Sequence, residues 1–203
     1  MITVHHLKLS RSLRIIWLLE ELGVDYRIIR HERDPATGLA PTSLQALHPM
    51  GKSPLIEMDG AVIAESAAIV EVICARHGPQ LIPDRSSKAY LSHLQLMHFA
   101  EGSAMGPIAM RFALAPLGSA ADPIRPRVQA ELTRILTYME QMLRPSGHWV
   151  LDGLSAADIM LSFPAEVVVQ DGREAEFPEI AAFLRAIKER PAYQAALAQG
   201  GGD

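Results

Sequence analysis

The sequence predicts two parts, a mixed α/β domain followed by an all-helical one. Three observations carry this reading. The stretch from Ile2 to Arg30 runs strand, helix, strand; Asp59-Gly60 sits between two short apolar runs; and beyond a Pro-containing segment near residue 80 only helical periodicity remains.

Ile2 to Leu7 is short and rich in β-formers, with Ile2 and Val4 on one face, which predicts a strand. Ile15, Leu18, Leu19 and Leu22 follow the i, i+3, i+4, i+7 spacing of an amphipathic helix, and Gly23 stands where a left-handed cap ends one. Tyr26 to Arg30 alternates again. A strand, helix and strand this close together form a βαβ unit with parallel strands. After a Pro/Gly/Ala-rich loop (Asp34 to Pro41) and a short helix from Thr42 to Leu47 come Pro54 to Met58 and Ala61 to Ala64. The Asp-Gly pair between them is the signature of a two-residue type I′ hairpin. A helix from Ser66 to His77 then ends at Gly78. The first domain is therefore expected to read βαβ then ββα, with a mixed four-stranded sheet.

The domain boundaries expected are 1–79, a linker over 80–86, and a helical domain over 87–203. Within the last, Val128, Leu132, Ile135, Leu136, Met139 and Leu143 share one helix face, with Asp122-Pro123 expected to open that helix. Another helix starts at Pro178, with Ile180, Phe183, Leu184 and Ile187 on one side; Pro191 is expected to stop it and the Gly-rich end to fray. The first helical segment carries Met97, Phe99, Met105, Ile108, Met110 and Phe112. Most of these suit a core, and some Met side chains suit an adaptable apolar pocket.

The bulk numbers exclude several classes. With 203 residues, 49% hydrophobic and 21% charged, the chain has the composition of a folded domain, not of disorder. A net charge of −4 and the absence of basic runs give no footprint for nucleic acid or anionic membrane. No apolar run reaches the roughly 20 residues of a spanning helix, and the start lacks the pattern of a signal peptide, so a cytoplasmic protein is expected. Cys74 is the one cysteine, so no intrachain disulfide can form, and the eight histidines show no metal-ligand spacing. No metal site is expected.

Three junctions have the residue types for chemistry. Ser10-Arg11-Ser12 lies at the turn from the first strand into the first helix. Its hydroxyls either cap the helix or meet an anion at the positive end of the dipole. Gly51-Lys52-Ser53-Pro54 precedes the third strand. It is either a plain strand start or a cis-proline bend that exposes the Ser53 backbone to a peptide-like ligand. Glu65-Ser66 lies at the next strand-to-helix junction. It is either a cap or a holder of an amino-acid head group, the carboxylate facing an ammonium and the hydroxyl a carboxylate. A fourth junction, Ser155 to Asp158 flanked by Leu154 and Ile159, reads as a capping box with a hydrophobic staple and is structural.

In this order and spacing, these segments resemble the cytosolic glutathione transferase family over nearly the whole chain. Ser10 to Gly23 resembles its opening strand–helix, His48 to Leu55 its cis-proline segment, Glu65 to Ile69 its γ-glutamyl motif, and Leu154 to Ile159 its second-domain capping box. The resemblance implies a thioredoxin-like first domain and places Ser10 at the catalytic hydroxyl of serine-type, bacterial or fungal members. It puts Lys52 at the glycyl carboxylate of glutathione, the Ser53-Pro54 backbone against the cysteinyl unit, and Glu65 with Ser66 at the γ-glutamyl group. Ser53 stands where the family usually has Val. Cysteine-type members carry Cys where this sequence has Ser10, and the early tyrosine of tyrosine-type members is missing, since the first tyrosine is Tyr26. The implied activity is conjugation of glutathione, a co-substrate and not a cofactor, to a small hydrophobic electrophile by a homodimer. Peroxidase or isomerase chemistry, or ligand binding without turnover, would use the same residues.

Overall fold

A computed structural model describes residues 1–200 of the chain. They divide into two compact units: residues 1–80 with the C-terminal segment from 187, and residues 81–186.

The first unit holds a four-stranded sheet. Its strands are β1 (Ile2–Leu7), β2 (Tyr26–His31), β3 (Leu55–Met58) and β4 (Ala61–Ile63), in the order β2-β1-β3-β4. β2 runs parallel to β1, with Val4 opposite Ile28; β3 is antiparallel to β1 and β4 to β3. The parallel pair requires a crossover, supplied by α1 (Ser12–Leu22); α2 (Thr42–Leu47) and α3 (Ser66–His77) complete the βαβ–ββα order. Both Asp59 and Gly60 have positive φ, 53° and 80°, as a type I′ turn demands. Leu7, Leu44 and Leu55 form a small cluster that pins α2 to the sheet.

In α1 the residues Ile15 to Leu19 are all fully buried, including Ile16 and Trp17, which lie outside the amphipathic stripe. The reason is the last helix, α10 (Pro191–Gly200), which packs along α1. Tyr193 meets Trp17 edge-on at 5.1 Å between ring centroids. Arg190 forks onto Glu21 at 2.6 and 2.8 Å, and the Trp17 indole N–H donates to the same carboxylate at 2.8 Å. Burial alone would raise the Glu21 pKa; the Arg190 and Trp17 hydrogen bonds reverse this and hold it below the ordinary carboxylate value. Each such fully buried large side chain is worth about 1.5–3 kcal/mol, so α10 is integral to this unit. The expected boundaries need this correction: residues 187–200 belong with the sheet, not with the helical domain. Pro191 does end α9 (Pro178–Lys188), but it also opens α10, occupying a first-turn position where its missing N–H costs nothing. The expected fraying of residues 201–203 lies outside the described residues.

A 3₁₀ turn at Pro79–Leu81 overlaps the start of the linker expected over 80–86, and in the second unit Ser87 caps α4 (Lys88–Gly102) by accepting the Tyr90 N–H. The Met-rich segment breaks after Gly102, and α5 (Met105–Leu114) follows. Met97 and Ile108 are buried, whereas Met110 and Phe112 are exposed. The next helix, α6 (Arg125–Met142), starts later than expected. Asp122 closes a 3₁₀ stretch, and Pro126, not Pro123, takes the first-turn position. α7 (Ala156–Ala165) and α8 (Val167–Gln170) follow. Ser155 and Asp158 form a complete capping box at α7. Asp158 also accepts the Trp149 N–H at 2.9 Å, and the Trp149 ring packs on Phe183 at 4.6 Å. No helix among the described residues is long and apolar enough to cross a membrane.

Candidate functional site

The turn between β1 and α1 gathers four polar side chains into one chain of hydrogen bonds. Ser10 Oγ lies 2.8 Å from Ser12 Oγ and 3.2 Å from Ser53 Oγ, and accepts the Ser12 N–H at 3.2 Å. Ser12 Oγ lies 2.8 Å from His6 Nδ1, and His6 Nε2 is 2.9 Å from the Gly200 carbonyl. Ser53 donates to the His5 carbonyl at 3.2 Å. The proton positions follow from chemistry. A carbonyl oxygen only accepts, so His6 Nε2 carries a proton. Burial pushes the His6 pKa below its ordinary value, against the Gly200 hydrogen bond and with Arg30 adding to the decrease, so the ring is neutral and Nδ1 is bare. Ser12 must therefore donate to Nδ1, and its oxygen can only accept from Ser10. Ser12 is buried and Ser10 half-buried. Of the two serines that compete for a role at this turn, only Ser10 has a proton that can swing from a neighbouring hydroxyl, Ser12 or Ser53, to a ligand.

The neighbouring junctions supply two more recognition elements. The Ser53-Pro54 peptide bond is cis, and both residues are buried. Gly51 before them has φ +56°, and a Cβ there would lie 2.5 Å from Gln45, so only glycine fits this bend. Lys52 between them is exposed. At the start of α3, Glu65 is exposed and adopts φ 68°, ψ 116°, and no side chain caps the helix. Ser66 Oγ is buried without a hydrogen-bond partner among the described residues. The first N–H groups of this twelve-residue helix, its positive end, are thus left for an acceptor from outside. Arg11 stands within electrostatic reach of Glu65. Burial lowers the Arg11 pKa, and the carboxylate opposes that shift.

The segment carrying these junctions, residues 10–76, matches the family model for the N-terminal domain of glutathione S-transferases. The chain is 32% identical over 210 residues to glutathione S-transferase 3 of Schizosaccharomyces pombe, covering 95% of this chain and 85% of the relative. The chain belongs to the glutathione S-transferase family. It is also 28% identical to glutathione S-transferase 1 of Saccharomyces cerevisiae, over 96% of this chain and 93% of that one. The solved structure of a glutathione S-transferase from Actinobacillus pleuropneumoniae superposes with a TM-score of 0.86 at 31% identity, covering 100% of this chain and 94% of that one. The thioredoxin-like sheet domain and the helical region are those of this family.

Of the six residues that the family resemblance singled out, the structure joins Ser10 directly to Ser53, which precedes the cis-proline. Glu65 and Ser66 share the start of α3, and Lys52 extends into solvent beside Ser53. Two residues of this family member escaped the sequence reading. His6 could have been found: strand alternation puts it on the core face with Ile2 and Val4, where a polar ring requires partners. Arg11 had no such signal, because a helix-start arginine is ordinarily solvated. The helical unit holds a separate cavity of about 500 Å³ lined by Phe112, Leu114 and Val128, among others. Its Arg111 is already paired with Asp171 and Gln170.

Proposed function

We propose that this family member is a serine-type glutathione transferase that attacks small hydrophobic electrophiles with the glutathione thiolate. The observation that carries the reading is the Ser10 hydroxyl, placed at the positive end of α1 and 3.2 Å from Ser53, with the Ser12 proton committed elsewhere. A thiol of pKa ~8.5 is only a few per cent ionised at neutral pH. Lowering it by about two units corresponds to roughly 2.7 kcal/mol in favour of the thiolate. Ser10 donates to sulfur, and the helix dipole adds to this. Ser10 is not the nucleophile, so no adjacent base is required of it.

The tripeptide is held along its length. Lys52 faces the glycyl carboxylate, and the Ser53 backbone before Pro54 pairs with the cysteinyl unit. Glu65 accepts from the γ-glutamyl ammonium, while the partnerless Ser66 hydroxyl and its N–H donate to the adjacent carboxylate. Glutathione is a co-substrate, and no further cofactor is invoked. The working form is a cytoplasmic homodimer, and each unit by itself exposes an apolar side chain suited to a second copy, Val62 on β4 in the first and Leu91 on α4 in the second.

Replacing Ser10 by Ala tests the reading. The pKa of bound glutathione should rise while its affinity barely changes, because the hydrogen bond favours the ionised form. Turnover of a halogenated aromatic at neutral pH should fall at least about tenfold, ~1.4 kcal/mol in barrier, and recover in part at higher pH. An acidic limb of the pH–rate profile that does not move would remove Ser10 from the mechanism. A panel adding isothiocyanates and organic hydroperoxides separates transferase from peroxidase turnover.

A further inference from the structure

The chain of hydrogen bonds behind Ser10 ends at the C-terminal end of α10, through a histidine with no place in the proposed reaction. We infer that His6 is a positioning residue for the Ser10 hydroxyl: by taking the Ser12 proton at Nδ1, it keeps Ser12 an acceptor and so sets where the Ser10 proton rests. The inference rests on Ser10 donating to the glutathione sulfur.

The geometry fixes the direction. Gly200 at 2.9 Å holds the Nε2 proton, and Ser12 at 2.8 Å fills Nδ1. Arg30 of β2, the charged neighbour of this ring, donates to the Gln199 carbonyl one residue earlier, so the same helix end is held twice. With its proton spent on His6, Ser12 receives the Ser10 proton across 2.8 Å. In this resting arrangement Ser10 keeps a lone pair for the S–H of a neutral thiol. When the thiol ionises, the Ser10 proton turns from Ser12 to sulfur. His6 thereby lets one hydroxyl accept from the thiol and donate to the thiolate.

Removing the ring acceptor reverses the polarity. In His6→Phe the Ser12 proton has two acceptors left, the Leu7 carbonyl at 3.5 Å and Ser10 Oγ at 2.8 Å, and the nearer wins. Ser10 then accepts from Ser12, and its own proton has only the longer contact to Ser53 Oγ at 3.2 Å to hold it back from the ligand. A hydroxyl that receives a hydrogen bond is also the stronger donor. The thiolate gains and the thiol loses.

The experiment is an ultraviolet titration of the thiolate of bound glutathione, which needs no electrophile. His6→Phe and Ser12→Ala each remove the shorter inward resting place of the Ser10 proton and leave only Ser53 Oγ at 3.2 Å. Each should lower the thiol pKa by about half a unit, roughly threefold more thiolate below the midpoint. The double variant should shift no further than either alone. His6→Asn, whose Oδ1 takes the position of Nδ1, should restore the wild-type titration. In a Ser10→Ala background His6→Phe should move nothing. If His6→Phe does not fold, Ser12→Ala carries the test, because it leaves the buried ring in place. A raised or unchanged thiol pKa in Ser12→Ala and in folded His6→Phe, with Ser10→Ala still raising it, overturns the role of His6 and leaves Ser10 standing. A thiol pKa unmoved by Ser10→Ala itself overturns the donor reading, and the inference with it.

Discussion

Two helices of this protein begin with a serine beside a carboxylate, and they treat those groups in opposite ways. At α7 the two capping residues are fully used. Asp158 accepts from the Ser155 N–H at 2.6 Å, the Ser155 hydroxyl at 2.5 Å and the Trp149 N–H at 2.9 Å, and both capping residues are fully buried. At α3 almost nothing is. Glu65 faces solvent at positive φ, no side chain caps the helix, and the Ser66 hydroxyl is interior with no partner among the described residues. Residue types alone do not separate a structural helix start from a recognition site. The distinction lies in whether the polar groups have been used up: a closed network stabilises the fold, while an open one is held for a group that arrives.

The largest effect should come from breaking the closed start. Asp158→Ala strips three buried donors of their acceptor at once, which should cost about 3 kcal/mol or more in chemical denaturation. A loss below about 1 kcal/mol would mean that this network does little for stability, and the contrast with α3 would collapse.

The open start should respond the other way round. Ser66→Ala should weaken glutathione binding by about 1–3 kcal/mol in calorimetry, the range for a hydrogen bond to a charged group. Stability should hold or rise slightly, because the hydroxyl removed has no partner to lose. The sequence had suggested a lost cap here, but Ser66 is already inside the helix and caps nothing. Unchanged affinity would take the residue out of the site.

Glu65 sharpens the point with a smaller change. A non-glycine residue at φ 68°, ψ 116° is strained by about 1–3 kcal/mol. Glu65→Gly should therefore stabilise the protein by about 1 kcal/mol, part of the relief being offset by glycine's entropy and the lost attraction to Arg11. Glutathione affinity should fall in the same variant. Gain in melting temperature with loss of binding marks strain kept for function; loss of both would make Glu65 a structural residue.

Much of the fold was legible because local signals agreed with one another. Ile2, Val4, the Ile15–Leu22 stripe and Asp59-Gly60 each dictate their element without help from distant residues. What failed to show was long-range. Nothing near Trp17 announces that Tyr193 will cover it, so the stripe of α1 was read too narrow and α10 was missed behind Pro191. The three junctions were legible as places where chemistry can sit. Their internal order was not, since choosing between Ser10 and Ser12 depends on a tautomer of His6 set by a carbonyl at position 200.

The smallest expected effect applies the same contrast to buried histidines. His6 has both ring nitrogens engaged, whereas His93 on α4 is buried with Nδ1 lacking a hydrogen-bond partner among the described residues. Burial lowers the pKa of each below the ordinary value of about 6.5, and it lowers His31 too, with His5 adding to the decrease. As pH falls through about 6.5, the unfolded chain takes up these protons before the folded one does. Stability then rises with pH in this window and is lost as pH falls toward the folded-state pKa values. The melting temperature should accordingly drop between about pH 7.5 and pH 5.5. His93→Leu should flatten that drop by one histidine's share. At the upper pH it should leave stability level or slightly raised, because an apolar side chain replaces a buried polar atom that has no partner among the described residues. If His93→Leu melts with the same pH dependence as the parent, His93 takes its proton as easily folded as unfolded. An unpartnered ring nitrogen would then be no mark of unmet demand, and the reading of Ser66 would have to rest on ligand binding alone.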